Sequence, residues 1–541
     1  MGIKHFFFWY KNQFKHNITS IGKGERFSVP IDTLLLDMNG FFHNSTQKIY
    51  EYGAGKKPER LLKKNPNRVV DDVATRKRVY ADVCDTIGKL VHITKPRKRV
   101  FLGTDGCAPI SKQNQQRQRR FRSAAESGDS CVFDSNSITP GTEFMDGLST
   151  YIDSWLMNKK MEDPLWKSVE VVFSDEKVPG EGEHKAVEYI RDFCDPNEIF
   201  CINGLDADLI MLSMATHCPN FYIIRDDTFD PTNEYFCIDV TAAKKALVKR
   251  LAWEDGLGER DLVNDFIFMC FLVGNDFLPH IPSVEIIEDG IEMMIDVYKG
   301  VGKVSGHLTE TKDDGAVVFR SESLRLFLDT IGKLERGNIE TKLGKRKSFF
   351  PDPLMMRHAS NSRGGKWNIN IDSYKSDYHK ESFKGKTTEA CHQYIQGLQW
   401  VITYYTTGCP SWTWYFPYQY APMASTLAQH VDSFVPIAYP PTQPSEPFQQ
   451  LLSVLPPKSA RLLPKPLGEC LTDKTSEIHK FCPDKLKIDL AGKRREWEGI
   501  TILPMMDQRV VMRALRSRFE EVSPEDKIRN IQGFAVLYEA E

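Results

Sequence analysis

The chain has 541 residues, 41% hydrophobic and 27% charged, with a formal net charge of −2 at pH 7; this is an ordinary globular composition, too long for one compact core. Its longest apolar run, Phe266 to Val273, is far short of the roughly 20 residues of a membrane span, and no small-residue cleavage site follows the aromatic start Phe6-Phe7-Phe8-Trp9-Tyr10. Twelve cysteines without a C-x-x-C pair, and thirteen histidines completing no zinc spacing, exclude structural zinc and point to reduced thiols in an intracellular protein.

In chain order, Thr33-Leu34-Leu35-Leu36 reads as a buried strand, followed by a helical stretch over 71–92 and a second strand at Arg99-Val100-Phe101-Leu102. Ser111 to Glu126 contains no Gly or Pro and reads as a helix after Pro109, with Ser111 as its cap. A helix over 142–157, a strand Val169 to Phe173, a helix over 183–194 and a strand Glu198 to Ile202 follow. The apolar helix Asp265 to Val273 closes this first part. Strands alternating with helices predict an α/β fold, a mainly parallel twisted sheet flanked by helices, which binds ligands at the carboxyl ends of its strands. The expected division is a first α/β domain over 1–298, a connector over 299–385 with weak periodicity and some local structure, and a second α-rich block over 386–541. That block holds the aromatic stretch Tyr394 to Tyr420 and a Pro-rich run at 436–447.

Acidic residues recur at the strand ends. Asp37 stands in Leu36-Asp37-Met38-Asn39-Gly40, and Asp105 in Gly103-Thr104-Asp105-Gly106. Beyond the third strand comes Gly180-Glu181-Gly182-Glu183-His184, beyond the fourth Gly204-Leu205-Asp206-Ala207-Asp208, and after the apolar helix Gly274-Asn275-Asp276-Phe277. One Asp-Gly is ordinarily a turn. Five such sites at equivalent sheet edges, two of them doubled, are costly without cations to neutralise them. Mg²⁺ suits them, being a hard ion that takes oxygen ligands and keeps several waters, and Mn²⁺ can substitute. Two such ions roughly 4 Å apart activate water and stabilise a phosphodiester's leaving oxygen. Each doubled pair also opens a helix, whose positive dipole end offsets part of the repulsion.

On the 111–126 helix, Lys112, Gln116, Arg119 and Arg120 fall at i, i+4, i+7 and i+8 and share one face. Such a face is ordinarily solvated, but cations with one amide also suit a terminal phosphate. Trp412, Trp414, Phe416, Tyr418 and Tyr420 recur at period two, a pattern of core packing or of a base-stacking wall.

At these residues the chain resembles the eukaryotic 5′→3′ exoribonucleases of the Xrn family. The matching strings include Leu36-Asp37-Met38-Asn39-Gly40, Asn114-Gln115-Gln116-Arg117, Thr139-Pro140-Gly141-Thr142-Glu143-Phe144-Met145, Val178 to Lys185, Gly204 to Ile210 and Gly274 to His280. In the second half, Gly397-Leu398-Gln399-Trp400, Ser411-Trp412, Tyr420-Ala421-Pro422 and Gln450 to Pro456 match as well. The resemblance covers about 1–295 and 386–541. It implies a nuclease domain like those of flap endonucleases and PIN domains, with the second block packed around the active site and shaping the RNA entry channel. Asp37, Asp105, Glu181, Glu183, Asp206, Asp208 and Asp276 would be its metal-binding catalytic acids. Lys112, Gln116, Arg119 and Arg120 would be its 5′-monophosphate pocket. His43, and either Trp412 or Trp414, would stack the first bases.

The resemblance further implies processive, Mg²⁺-dependent degradation of single-stranded 5′-monophosphorylated RNA to nucleoside 5′-monophosphates, a role in RNA and mRNA decay, and decapping machinery as a candidate partner. The absence of a zinc knuckle and of a strong nuclear signal points to the cytoplasm; Lys342 to Lys347 is only a weak basic run. Three departures stand out. The start is Met1-Gly2-Ile3-Lys4 rather than Met-Gly-Val-Pro, Ile110 replaces a common Arg, and Gln419 replaces a common His. The chain stops where the second block ends, so the further C-terminal domains of the large cytoplasmic members are expected to be missing. The alternatives are a flap-type DNA endonuclease, which would share most of the acids, and a catalytically silent RNA-binding scaffold.

Overall fold

The computed structural model describes residues 3, 5–53, 71–126, 133–228, 230, 232–345, 350–362 and 365–541. The start Met1-Gly2, Lys4 and the end of the basic run at 346–347 lie outside these.

Seven strands, β1 (Ile18–Gly22), β2 (Thr33–Asp37), β3 (Arg99–Gly103), β4 (Glu170–Ser174), β5 (Phe200–Asn203), β6 (Phe221–Asp226) and β7 (Asn233–Asp239), join the C-terminal strand Val536–Tyr538 in one sheet. Its order is β1-β7-β6-β5-β2-β3-β4 followed by Val536–Tyr538. The five strands from β6 to β4 are mutually parallel, while β7, β1 and Val536–Tyr538 attach antiparallel. The mainly parallel sheet expected from the alternation of elements is therefore present.

Strand β2 lies in the middle, with Leu34 opposite Val100 on one side and Cys201 on the other. Leu34, Leu35 and Leu36 are all fully buried, because helices cover both faces and leave no solvated side for alternation to mark. Leu34 and Leu36 enter one core with the helices Val73–Thr94 and Glu143–Glu162. Leu35 enters the other, with Gly182–Phe193, Leu209–Ala215 and Glu259–Cys270.

The four strands read from the sequence end within two residues of the observed ones. The strands that escaped the sequence reading lie towards the sheet margins. In β1 only Ile21 is buried, and Val536 and Leu537 stay exposed, so these two segments carry little hydrophobic signal and are recruited by a neighbour's free backbone groups; β6 and β7, by contrast, bury Phe221, Ile223, Ile224, Phe236 and Ile238 and carry a hydrophobic signal of their own. Ser111, expected to cap the basic helix, lies inside it. The helix spans Ile110–Glu126 because the Pro109 carbonyl already accepts from the Lys112 and Gln113 amides at 2.9 and 3.0 Å.

Within 299–385 runs the helix Ser321–Lys345. Its Leu324, Phe327, Leu328 and Ile331 join the same core as Leu35. From the second block, the helix Thr387–Thr406 buries Tyr394, Leu398, Trp400 and Val401 in that core as well. The helix Pro447–Val454 packs on the basic helix, where Gln450 Oε1 accepts from the Ala108 amide at 2.9 Å and Gln113 Nε2 donates to Ser445 Oγ at 3.1 Å. Among the described residues no helix is long and apolar enough to cross a membrane.

Candidate active site

All seven acids gather beyond the carboxyl ends of β2 to β5. Asp37 ends β2 and Asp105 lies two residues past β3. Glu181 precedes the helix Gly182–Phe193 and Glu183 sits in its first turn. Asp208 precedes Leu209–Ala215, with Asp206 two residues earlier. Asp276 stands in the turn after the 3-10 segment Phe271–Val273. Close backbone approach makes the gathering possible. A Cβ on Gly182 would lie 2.9 Å from the Gly103 carbonyl oxygen and 3.1 Å from Asp37 Oδ1, and one on Gly106 would lie 1.8 Å from the Val178 carbonyl oxygen. No side chain fits at Gly106 without moving the loop that delivers Glu181.

One carboxylate oxygen from each of Glu183, Asp206 and Asp208 lies within 4.8 Å of the others, a spacing at which three oxygens can share a cation. The surroundings hold the neighbouring acids in place. The Gly182 amide donates to Asp105 Oδ1 at 2.8 Å and Asn39 Nδ2 to Asp105 Oδ2 at 2.6 Å. Gln115 Nε2 donates to Asp276 Oδ1 at 3.1 Å, and the Tyr404 hydroxyl to Glu181 Oε1 at 3.2 Å. Asn39, Gln115 and Tyr404 were not among the residues picked out from the sequence. Asn39 follows Asp37 by two residues and Gln115 adjoins Gln116 in motifs shared with the Xrn family; nothing in the sequence marks Tyr404.

The electrostatics are those of a site short of positive charge. Burial first, then the charges of Asp105 and Asp206, pushes the Asp37 carboxyl well above its usual range, and burial with Asp208 does the same to Glu183. Burial lifts Glu181 to about 7 despite the opposing pull of Lys112, and burial with Asp206 lifts Asp208 to about 6. Asp208 Oδ1 is buried and has no hydrogen-bond partner. Asp206 and Asp276 go the other way, Asp276 held low by Lys112 despite its burial; an unpartnered acceptor beside the carboxyls that do resist ionisation is a good match to a divalent cation.

The basic helix divides its work. Lys112 is turned onto the acids: its ammonium pairs with Glu181 and, at 2.9 Å, with Asp276 Oδ2. Burial would lower this amine, but Asp276 and Glu181 hold it well above its ordinary value. Gln116, Arg119 and Arg120 instead line a cleft of about 210 Å³ with Asn39, His43 and Asp105. Gln116 Oε1 is buried there without a partner, and Arg120 Nη1 donates to Thr139 Oγ1 at 2.5 Å. Burial, then the two arginines, lowers His43 to about 4; burial, then Arg119, lowers Arg120 to about 10. Arg119 is exposed and also lines a second cleft of about 310 Å³, across the helix, with Asp276, Tyr415 and Tyr418.

Neither tryptophan lines the cleft that holds His43. Trp414 stacks on Trp400 with centroids 5.4 Å apart and packs against the main core. Trp412 is half-buried, and its carbonyl accepts from the Ile110 amide at 2.9 Å. The period-two aromatics do not form a strand; Phe416 is buried in the core and the Tyr420 hydroxyl donates to Asp489.

Comparison with known proteins identifies the family. Residues 1–227 match the family described as the XRN 5′-3′ exonuclease N-terminus, and residues 259–364 and 369–541 match the Xrn1 helical domain. The 5′-3′ exoribonuclease 2 homolog of Drosophila melanogaster is 29% identical, over 94% of this chain and 68% of its own. The 5′-3′ exoribonuclease 2 of Gallus gallus is also 29% identical, over 94% and 67%. The 5′-3′ exoribonuclease 1 of Saccharomyces cerevisiae is 27% identical over 99% of this chain, which spans only 44% of the yeast protein. Among solved structures, a catalytic core of Rad2 in complex with DNA covers 64% of this chain and 77% of its own at 14% identity and a TM-score of 0.33, a likeness too slight to argue from.

Proposed function

The chain belongs to the XRN 5′-3′ exonuclease family and is by that membership a 5′→3′ exoribonuclease; from there we propose that it removes nucleotides one at a time from the 5′-monophosphate end of single-stranded RNA, with Mg²⁺ as its cofactor. The observation that carries this reading is that Asp105 belongs both to the acidic cluster and to the wall of the cleft lined by Gln116, Arg119 and Arg120. A terminal phosphate on those cations would lie beside the acids, and fixing the terminus decides which phosphodiester reaches them.

Asp37, Asp105, Glu181, Glu183, Asp206, Asp208 and Asp276 would hold the ions. When bound, these would supply an activated water and neutralise charge on the phosphate under attack. Arg119 and Arg120 bind the terminal phosphate through charge-assisted hydrogen bonds, with the free Gln116 Oε1 facing a hydroxyl or water. His43, held neutral, offers a flat ring for the first base. Stacking and backbone contacts carry no base code, so little sequence preference is expected. We extend the same reading to RNA turnover in the cytoplasm, with the decapping machinery supplying 5′-monophosphate ends.

The test is a panel of 5′-phosphate, 5′-hydroxyl and capped RNAs beside flap DNA, with and without Mg²⁺. Degradation confined to the 5′-phosphate RNA and dependent on Mg²⁺ supports the reading; preferred cutting of flap DNA, or equal use of 5′-hydroxyl RNA, refutes it. In the same panel Asp208→Ala loses degradation but keeps RNA binding.

A further inference from the structure

Tyr404 stands in the last turn of the helix Thr387–Thr406, in the second block, and is 3% exposed. Its hydroxyl donates to Glu181 Oε1 at 3.2 Å, while the Lys112 ammonium takes the other oxygen of the same carboxylate. Glu181 is thus gripped at both oxygens, once from each block. The Tyr404 ring lies flat on His184, with centroids 3.7 Å apart at 13°, and edge-on to Phe277 at 5.5 Å. His184 follows Glu183 and Phe277 follows Asp276, so one side chain touches one acid directly and the chain neighbours of two more.

A buried phenol hydroxyl needs a partner, and a backbone carbonyl would satisfy it as well; here the partner is an acid of the cluster. A carboxylate's orientation is set by the donors around it, and losing such a donor typically weakens metal binding about 10- to 100-fold. We propose that Tyr404 is a positioning residue that fixes the Glu181 carboxylate, and that through it the second block sets the divalent-ion affinity of acids carried on the first. This rests on the metal reading of the acidic cluster.

The experiment uses the full chain, Tyr404→Phe and Mn²⁺ as the probe, with bound ion measured directly by electron paramagnetic resonance. Phe keeps the ring contacts with His184 and Phe277, so Tm and affinity for 5′-phosphorylated RNA in EDTA are expected to hold. The dissociation constant for Mn²⁺ is expected to rise about 10- to 100-fold. Tyr394→Phe, on the same helix, loses a hydroxyl that donates to the Pro279 carbonyl at 2.9 Å and is expected to leave Mn²⁺ binding unchanged. Unchanged Mn²⁺ affinity in Tyr404→Phe overturns the proposal, as does equal weakening in both variants or a loss that merely follows Tm. Tight binding by Tyr404→Phe and the unaltered chain alike leaves the metal reading standing and removes only the role of Tyr404. If the unaltered chain binds no Mn²⁺, both fall.

Discussion

Replacing Lys112 with Met separates the charge of this side chain from its bulk. The Lys112 side chain is 9% exposed and pairs with Glu181 and Asp276, whose side chains are 4% and 6% exposed. Met keeps the apolar stem but leaves both carboxylates without their ammonium. Removing one partner of a buried ion pair costs about 3–5 kcal/mol, because the remaining charge is left uncompensated. An unfolding entropy of about 2.1 cal/mol/K per residue, summed over a chain of this length melting as one unit, is about 1.1 kcal/mol/K, so Tm should fall by about 3–4 °C. That holds in EDTA. With Mg²⁺ at saturating concentration the drop should shrink to less than half, because the cations neutralise the same acids. Differential scanning calorimetry in the two buffers reads both numbers. An unchanged Tm in EDTA, or an equal drop in both, would refute the idea that Lys112 is the resident counter-charge of the cluster.

Three further outcomes follow from the same geometry. The carboxyls of Glu181 and Asp208 stand at about 7 and 6 against ordinary values of 4.5 and 3.8. Without metal, their contribution to stability is therefore intact below about 4 and lost as pH rises through 6 to 7. Since ions need the deprotonated oxygens, the rise in Tm on adding Mg²⁺ should be small at pH 5 and grow through pH 7; a rise independent of pH would count against it. Arg120→Gln removes a charge from the cleft without emptying it. A hydrogen bond to a charged group is worth about 1.5–3 kcal/mol, so KM for 5′-phosphate RNA should increase roughly 10- to 100-fold while 5′-hydroxyl RNA changes little, and equal losses on both ends would sink the assignment. Gly106→Ala places a methyl 1.8 Å from the Val178 carbonyl oxygen, so circular dichroism and activity should both report a damaged loop; a fully active, equally stable variant would mean that the loop can shift freely.

Much of the site could be read from the sequence because its determinants are local. A short run such as Leu34-Leu35-Leu36 amid alternating helical stretches reads as a strand covered on both faces, and the residue that ends it, Asp37, is delivered to the ligand-binding edge of a parallel sheet. Helical spacing put Lys112, Gln116, Arg119 and Arg120 on one side of a helix, and the fold keeps the last three in one cleft. Local rules could not say how that face is divided. Whether an ammonium points at acids or at a cleft depends on which elements pack against its helix, and Asp276 lies 164 residues away in the chain.

The same holds for the aromatics and for Tyr404. Period two in 411–420 suits a strand, yet this segment is wedged between the helices Ile110–Glu126 and Thr387–Thr406, and its rings turn individually towards the core, the second cleft or Asp489. Tyr404 meets Glu181 across 223 residues. The sequence by itself determined which residues end strands, which share a helix face and where negative charge accumulates, since backbone geometry sets these over a few residues. Only the tertiary structure decided that Lys112 neutralises the acids, that Gln116, Arg119 and Arg120 open onto Asp105, and that a tyrosine of the second block holds Glu181, because those outcomes depend on how elements far apart in the chain pack against one another.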